Sequence, residues 1–246
     1  MRAIGATVDP QEIERFTAQA EAWWDPEGSF RPLHRLNPTR LAFICEHLTA
    51  HFCRSASSLR PFEGLTLLDV GCGGGLIAEP MSRLGFAVTG VDADPKAVAV
   101  ARAHAEATGL SIDYRVATAE STAGTGQRFD AVLALEILEH LADPNLFLGC
   151  VGGLVRQGGG FIGATLNRTS RSFVAAIIGA EYLLGWLPRG THDWRKFMRP
   201  SELVLGLRRN GLNPTALAGL SYDWMRGGWS VSRDLGVNYM VMAAKL

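Results

Sequence analysis

Leu65-Thr66-Leu67-Leu68-Asp69-Val70-Gly71-Cys72-Gly73-Gly74-Gly75-Leu76-Ile77-Ala78 is the stretch that decides the fold. Leu65 to Val70 is a short apolar run with one acid near its end, Gly71 to Gly75 is a turn, and Leu76 to Leu84 has helical spacing. The stretch therefore predicts strand, glycine loop, helix. Glycines between a buried strand and a helix let the backbone approach a ligand closely and leave N–H groups at the positive end of the helix dipole. Asp92, 21 residues after Gly71, closes the next apolar run, where its carboxylate can accept from both ribose hydroxyls of a nucleoside.

Outward from this loop, Ala87 to Asp92, Ile112 to Val116, Phe129 to Leu135 and Gly160 to Leu166 predict further strands. Pro95 opens an alanine-rich helix that stops near Gly109, and Asp143-Pro144 caps another. Such alternation predicts an α/β protein with a doubly wound, mostly parallel sheet covered on both faces. Val237 to Ala244 is expected as an antiparallel closing strand. Upstream, Asp9-Pro10-Gln11-Glu12 sets a capping acid, a proline at the first helical position and a glutamate three residues after the cap, which is a helix start. Asp25 to Pro38 reads as loop and Thr39 to Phe52 as a second helix. After Leu166 the alternation lapses until a helix from Ser201 to Arg209. One domain over 1–246 is expected: a helical cap at 9–60, a cofactor-binding core at 65–166, an insertion at 167–200, and the C-terminal part of the sheet at 201–246.

The 24 Lys and Arg balance 24 Asp and Glu, leaving no net field to hold a polyanion, so no nucleic-acid partner is expected. The 4 cysteines are irregularly spaced with no C-x-x-C, which reads as neither a zinc ribbon nor a disulfide framework and fits a reducing compartment. Cys72 and Cys150 are expected as buried small residues without catalytic roles. The first sixteen residues carry charge and no apolar h-region, arguing against a secretory signal and for a cytoplasmic location.

Gly73-Gly74-Gly75-Leu76-Ile77-Ala78 also satisfies the loose G-x-G-x-x-A dinucleotide form, so an NAD-linked oxidoreductase stays open. Against it, no tyrosine is followed four residues later by a lysine. Asp69, just ahead of the turn, favours S-adenosylmethionine, since it can orient the loop or reach the methionine ammonium.

Leu68 to Gly75 resembles motif I of class I S-adenosylmethionine-dependent methyltransferases. Trp23-Trp24-Asp25, Pro32 to Pro38, Glu139-His140, Thr165 to Arg168, Gly179 to Tyr182, Gly190 to Asp193 and Val237 to Met240 are similar to the ubiquinone biosynthesis O-methyltransferase family, from about residue 9 to 243. Gly236 departs from the acid that relatives often carry there. The resemblance implies a Rossmann-like sheet of seven strands, with the N-terminal helical cap and an insertion after the fifth strand. It implies methyl transfer from S-adenosylmethionine to the phenolic oxygens of 2-polyprenyl-6-hydroxyphenol and 3-demethylubiquinol. Cofactor contacts map onto Arg40, Gly71, Asp92 and Leu135, with Gly73 in the same loop. Association with other enzymes of ubiquinone synthesis is also an expectation of the family.

Leu135-Glu136-Ile137-Leu138-Glu139-His140 follows the fourth strand at the carboxyl edge, where open α/β sheets bind ligands. A phenol with a pKa of about 10 needs a general base or a divalent cation to lose its proton. Glu136, Glu139 and His140 offer both routes, and similarity to eukaryotic relatives implies Mg²⁺ on these three. Glu139, His140 and His192 are the catalytic candidates. The methyl transfer itself is an in-line displacement needing proximity and no covalent nucleophile.

Phe173 to Leu187 is apolar but for Glu181 and shorter than the roughly 20 residues that cross a bilayer. Arg168 and Arg171 before it, with Arg189, Arg195 and Lys196 after it, suit an interfacial element over 168–196 on the inner face of the cytoplasmic membrane. A non-catalytic, membrane-associated S-adenosylmethionine-binding protein is the remaining alternative. Trp23 and Trp24 are expected as core or lid.

Overall fold

The computed structural model describes residues 7, 13, 17, 20–173, 193–223 and 227–246. Most of the helix expected from Asp9, most of the apolar run and His192 lie outside the described residues; Ile13 and Thr17 are helical.

Eight strands form one sheet in the order β3-β2-β1-β4-β5-β8-β6-β7. They are β1 (Thr66–Val70), β2 (Ala87–Asp92), β3 (Asp113–Val116), β4 (Phe129–Leu135), β5 (Val155–Leu166), β6 (Asn213–Asp223), β7 (Gly228–Ser232) and β8 (Asn238–Ala244). The first five are parallel neighbours; β8 pairs antiparallel with β5, β6 with β8, and β7 with β6. The mostly parallel doubly wound sheet is present, with eight strands in place of seven. The strands not individually foreseen are β6 and β7. The burial of β6 alternates over most of its length and β7 is nowhere fully buried, so neither carries the continuous apolar run of a two-sided strand. Pro214 near the start of β6 disguises it further.

Both faces are covered. On one pack α1 (Arg31–His51), α2 (Ala78–Arg83) and α3 (Pro95–Ala107), through Leu36, Phe43, Met81, Val98 and Ala101. On the other lie α4 (Ala119–Gly124), α5 (Pro144–Leu154) and α6 (Pro200–Arg209), through Ala119, Phe147, Val151, Leu203 and Leu207. Asp94 and Asp143 cap α3 and α5 with their carboxylates. Cys72 is buried, whereas Cys150 is only half-buried.

The segment expected as loop up to Pro38 is helical from Arg31. Pro32 occupies the first turn, where its missing N–H costs nothing. Pro38 lies inside α1, where a proline costs about 3 kcal/mol. Burial of Leu36, Phe43, Ile44 and Leu48 on the same helix offsets that, each contributing about 1.5–3 kcal/mol. The strand order reverses between β1 and β4, so their carboxyl ends flank the crevice where such sheets bind ligands.

Candidate active site

The chain leaves β1 through Gly71, Gly73 and Gly75, with φ of 72°, 51° and 91°, values that L side chains rarely adopt. The N–H groups of Gly71 and Cys72 both donate to the Val91 carbonyl, at 2.8 and 3.1 Å, which ties the loop to the end of β2. Asp92 completes the tie: its Oδ2 accepts from the Gly73 N–H at 2.8 Å and its Oδ1 from the Asp94 N–H at 2.9 Å. Each oxygen keeps a further lone pair. Burial raises the Asp92 pKa, and the backbone N–H groups of Asp94, Gly73 and Ala93 pull it back.

Asp69 is buried at the end of β1. Its pKa is pushed up to about 7 by burial and by the neighbouring Asp92, against the lowering pull of Arg40. Arg40 itself is only 3% exposed, an unusual burial for a guanidinium, and must be compensated. Its Nη2 lies 3.0 Å from Glu136 Oε1, and its Nη1 donates to Asn37 Oδ1 at 3.3 Å. Glu136 follows Leu135, the last residue of β4, and has φ 53°, a strained value for a residue with a side chain. Its backbone N–H donates to the Ala164 carbonyl at 2.9 Å. Next to it, Ile137 closes on the glycine loop, since a Cβ on Gly71 would come within 2.8 Å of Ile137 Cδ1. The structure therefore brings Arg40, Asp69, Gly71, Gly73, Asp92, Leu135 and Glu136 to one crevice.

Glu139 and His140 lie beyond, on a single 3₁₀ turn. Glu139 turns inward: it is 2% exposed, and its Oε2 accepts from Thr165 Oγ1 at 2.6 Å. Burial and the nearby Glu136 hold its carboxyl well above the usual range. His140 is half-buried, its backbone N–H donating to the Ile137 carbonyl at 3.0 Å. The three residues expected to share Mg²⁺ are not assembled as a ligand set. Among the described residues no group of three His, Cys, Asp or Glu side chains is placed to hold a metal ion. Glu136 faces Arg40 and the neighbouring Glu139 carboxyl, and Glu139 in turn is held by the Thr165 hydroxyl.

Trp23 and Trp24, left between core and lid by their pattern, lie on the glycine loop: the Trp24 indole N–H donates to the Gly74 carbonyl at 2.9 Å. The Trp23-Trp24-Asp25 resemblance marked this pair without giving it a task. Tyr114, on β3, was not singled out at all; its ring and hydroxyl fill the space that side chains on Gly90 and Gly75 would occupy.

The methyltransferase domain family matches residues 68–163. The ubiquinone biosynthesis O-methyltransferase of Paramagnetospirillum magneticum is 55% identical over 239 residues, covering 97% of this chain and 96% of that one. The protein of the same name from Parvibaculum lavamentivorans is 51% identical, covering 99% and 96%. Among solved structures, the magnesium protoporphyrin IX methyltransferase of Synechocystis with bound SAH is similar in fold, with TM-score 0.65, 17% identity, and 96% and 94% of the two chains covered. These relatives leave no place for a dehydrogenase or a non-catalytic binder. A loop that closes on its own acid, a buried arginine at the mouth of the crevice and relatives matching end to end all converge, and the chain belongs to the ubiquinone biosynthesis O-methyltransferase family of S-adenosylmethionine-dependent enzymes.

Proposed function

We propose that the enzyme methylates a phenolic oxygen of 2-polyprenyl-6-hydroxyphenol and of 3-demethylubiquinol. The observation that carries this is the extent of the likeness, 97% of the chain at 55% identity to a protein named for ubiquinone synthesis. Gly71, Gly73, Asp92, Leu135 and Arg40 form the cofactor site in this reading: Asp92 receives the ribose, Asp69 faces the ammonium, and Arg40 bridges the cap to the end of β4. S-adenosylmethionine supplies an electrophilic methyl group, and the chain supplies alignment and a dry crevice.

The phenolic proton goes to a side-chain base, for which His140, on the turn after β4, and His192 are the candidates. Mg²⁺ would lower the phenol pKa, but Glu136 and Glu139 as placed do not offer it a set of ligands, so no step runs through it. The polyprenyl tail supports an interfacial role for 168–196. The described ends of that segment are anchored: at its start Arg168 pairs with Glu202 and Arg171 with Asp234 at 2.8 Å, and at its end the Trp194 indole N–H donates to the Thr169 carbonyl at 2.8 Å. No helix among the described residues is long and apolar enough to cross a membrane. This reading places the enzyme peripherally at a membrane surface, beside other enzymes of the same synthesis.

The test is methyl transfer from labelled S-adenosylmethionine to a short-chain prenyl catechol, with EDTA and then with Mg²⁺ restored. Turnover indifferent to EDTA, with the acid limb of the pH profile altered in His140→Ala or His192→Ala, is the expected result. Turnover lost to the chelator and regained with magnesium overturns the side-chain base.

A further inference from the structure

The pair Trp23-Trp24 is placed too deliberately to be general packing. The Trp23 ring lies across Gly73 and Gly74: a Cβ on Gly74 would come within 2.5 Å of Trp23 Cβ and Cγ, and one on Gly73 would collide with the six-membered ring. Its opposite face stacks on Phe30, centroids 3.8 Å apart and planes 9° from parallel. Its carbonyl is held by His34 Nε2 at 2.9 Å. The indole is thus fixed in position and in rotation, yet its Nε1 is buried and has no acceptor. A buried indole N–H normally finds one.

Trp24 is the strut that keeps Trp23 there. Besides its bond to the Gly74 carbonyl, it stacks on His104 of α3 at 3.5 Å and 5°. His104 Nδ1 meets Glu79 Oε1 of α2 at 2.5 Å, and the Glu79 side chain is fully buried. The two helices that follow β1 and β2 therefore brace the aromatic segment against the loop between them.

We propose that Trp23 is a cofactor-binding residue whose indole N–H donates to the carboxylate at the amino-acid end of S-adenosylmethionine, and that Trp24 is a positioning residue acting through Gly74. The inference rests on the cofactor assignment. It follows from the placement of an unpartnered donor against the glycines whose backbone that end of the cofactor must approach. The carboxylate is the one anionic group of the cofactor, and a donor without a partner favours an ionised acceptor.

Two ligands separate this role from general damage. S-adenosylhomocysteine carries the amino-acid end; methylthioadenosine keeps the nucleoside and lacks it. Calorimetric titration of Trp23→Phe, which retains the stack on Phe30 and loses the N–H, is expected to show S-adenosylhomocysteine bound about tenfold more weakly, with methylthioadenosine unchanged. Trp24→Phe, which retains the stack on His104, is expected to show the same selectivity with a smaller loss. Equal losses for both ligands, or no loss for either, overturn the proposal. If the unaltered protein binds neither ligand, it is the cofactor assignment that fails instead.

Discussion

Asp69 is the residue on which the electrostatics of the crevice turn. Its pKa of about 7 lies above the ordinary 3.8 because burial and Asp92 disfavour its charge. Between pH of about 4 and 7 the unfolded chain ionises this group while the folded chain keeps its proton, so this residue's contribution to stability falls across that window and is level above it. In the proposed site, where Asp69 faces the cofactor's ammonium, binding reverses the preference, because a cation favours the ionised form. Affinity for S-adenosylhomocysteine is therefore expected to rise as pH climbs through about 7, with proton release on binding, and Asp69→Asn should flatten that slope. Titrations in two buffers of different ionisation enthalpy would measure the proton count, and an equal slope in Asp69→Asn would assign it elsewhere. Asp69, Gly71, Gly73 and Asp92 were legible in the sequence because strand, glycine turn and strand-end acid sit at fixed offsets. Arg40 and Leu135 came only from resemblance, since nothing local distinguishes one arginine of a helix from its neighbours. The inward turn of Glu139 was not legible, because it depends on Thr165, 26 residues away on β5.

Among the described elements, Asp94 and Asp143 cap helices as expected, and β2 and β4 agree with their expected limits. Helix α1 was misread over its first turns because Pro32 and Pro38 spoke locally against a helix that tertiary burial then stabilised. Helix α5 offers a sharper test of local against tertiary effects through two adjacent glycines. A Cβ on Gly153 meets nothing within 4 Å, so Gly153→Ala should stabilise by about 0.5–1 kcal/mol through backbone entropy. A Cβ on Gly152 would come within 2.5 Å of the Asn210 carbonyl oxygen, a backbone atom, so Gly152→Ala should destabilise by about 1–3 kcal/mol. Thermal unfolding of the two variants gives the signs directly. Two shifts of the same sign would mean that α5 does not rest on the Asn210 turn as the structure has it.

At the scale of the whole molecule, the crevice is assembled from parts far apart in the chain, and cofactor binding must couple them. Arg40 of α1 pairs with Glu136 after β4, Trp24 donates to Gly74 after β1, and Gly73 donates to Asp92 at the end of β2. The network reaches the β7 edge as well, since the Thr39 hydroxyl, next to Arg40 on α1, donates to the Trp229 carbonyl at 3.0 Å. A ligand present at 100 times its Kd stabilises the bound state by about 2.7 kcal/mol, close to a hundredfold in any opening that must first release it. Amide exchange with S-adenosylhomocysteine should therefore slow by up to that factor at Trp23-Trp24, the first turns of α1 and the ends of β1, β2 and β4. Exchange at the exposed end of α6, Arg208 and Arg209 on the opposite face, opens locally without releasing the ligand and should hardly change. Equal slowing there would mean that the fold opens as one unit. Unchanged exchange in α1 would mean that Arg40 ties the cap to the crevice whether or not the cofactor is bound.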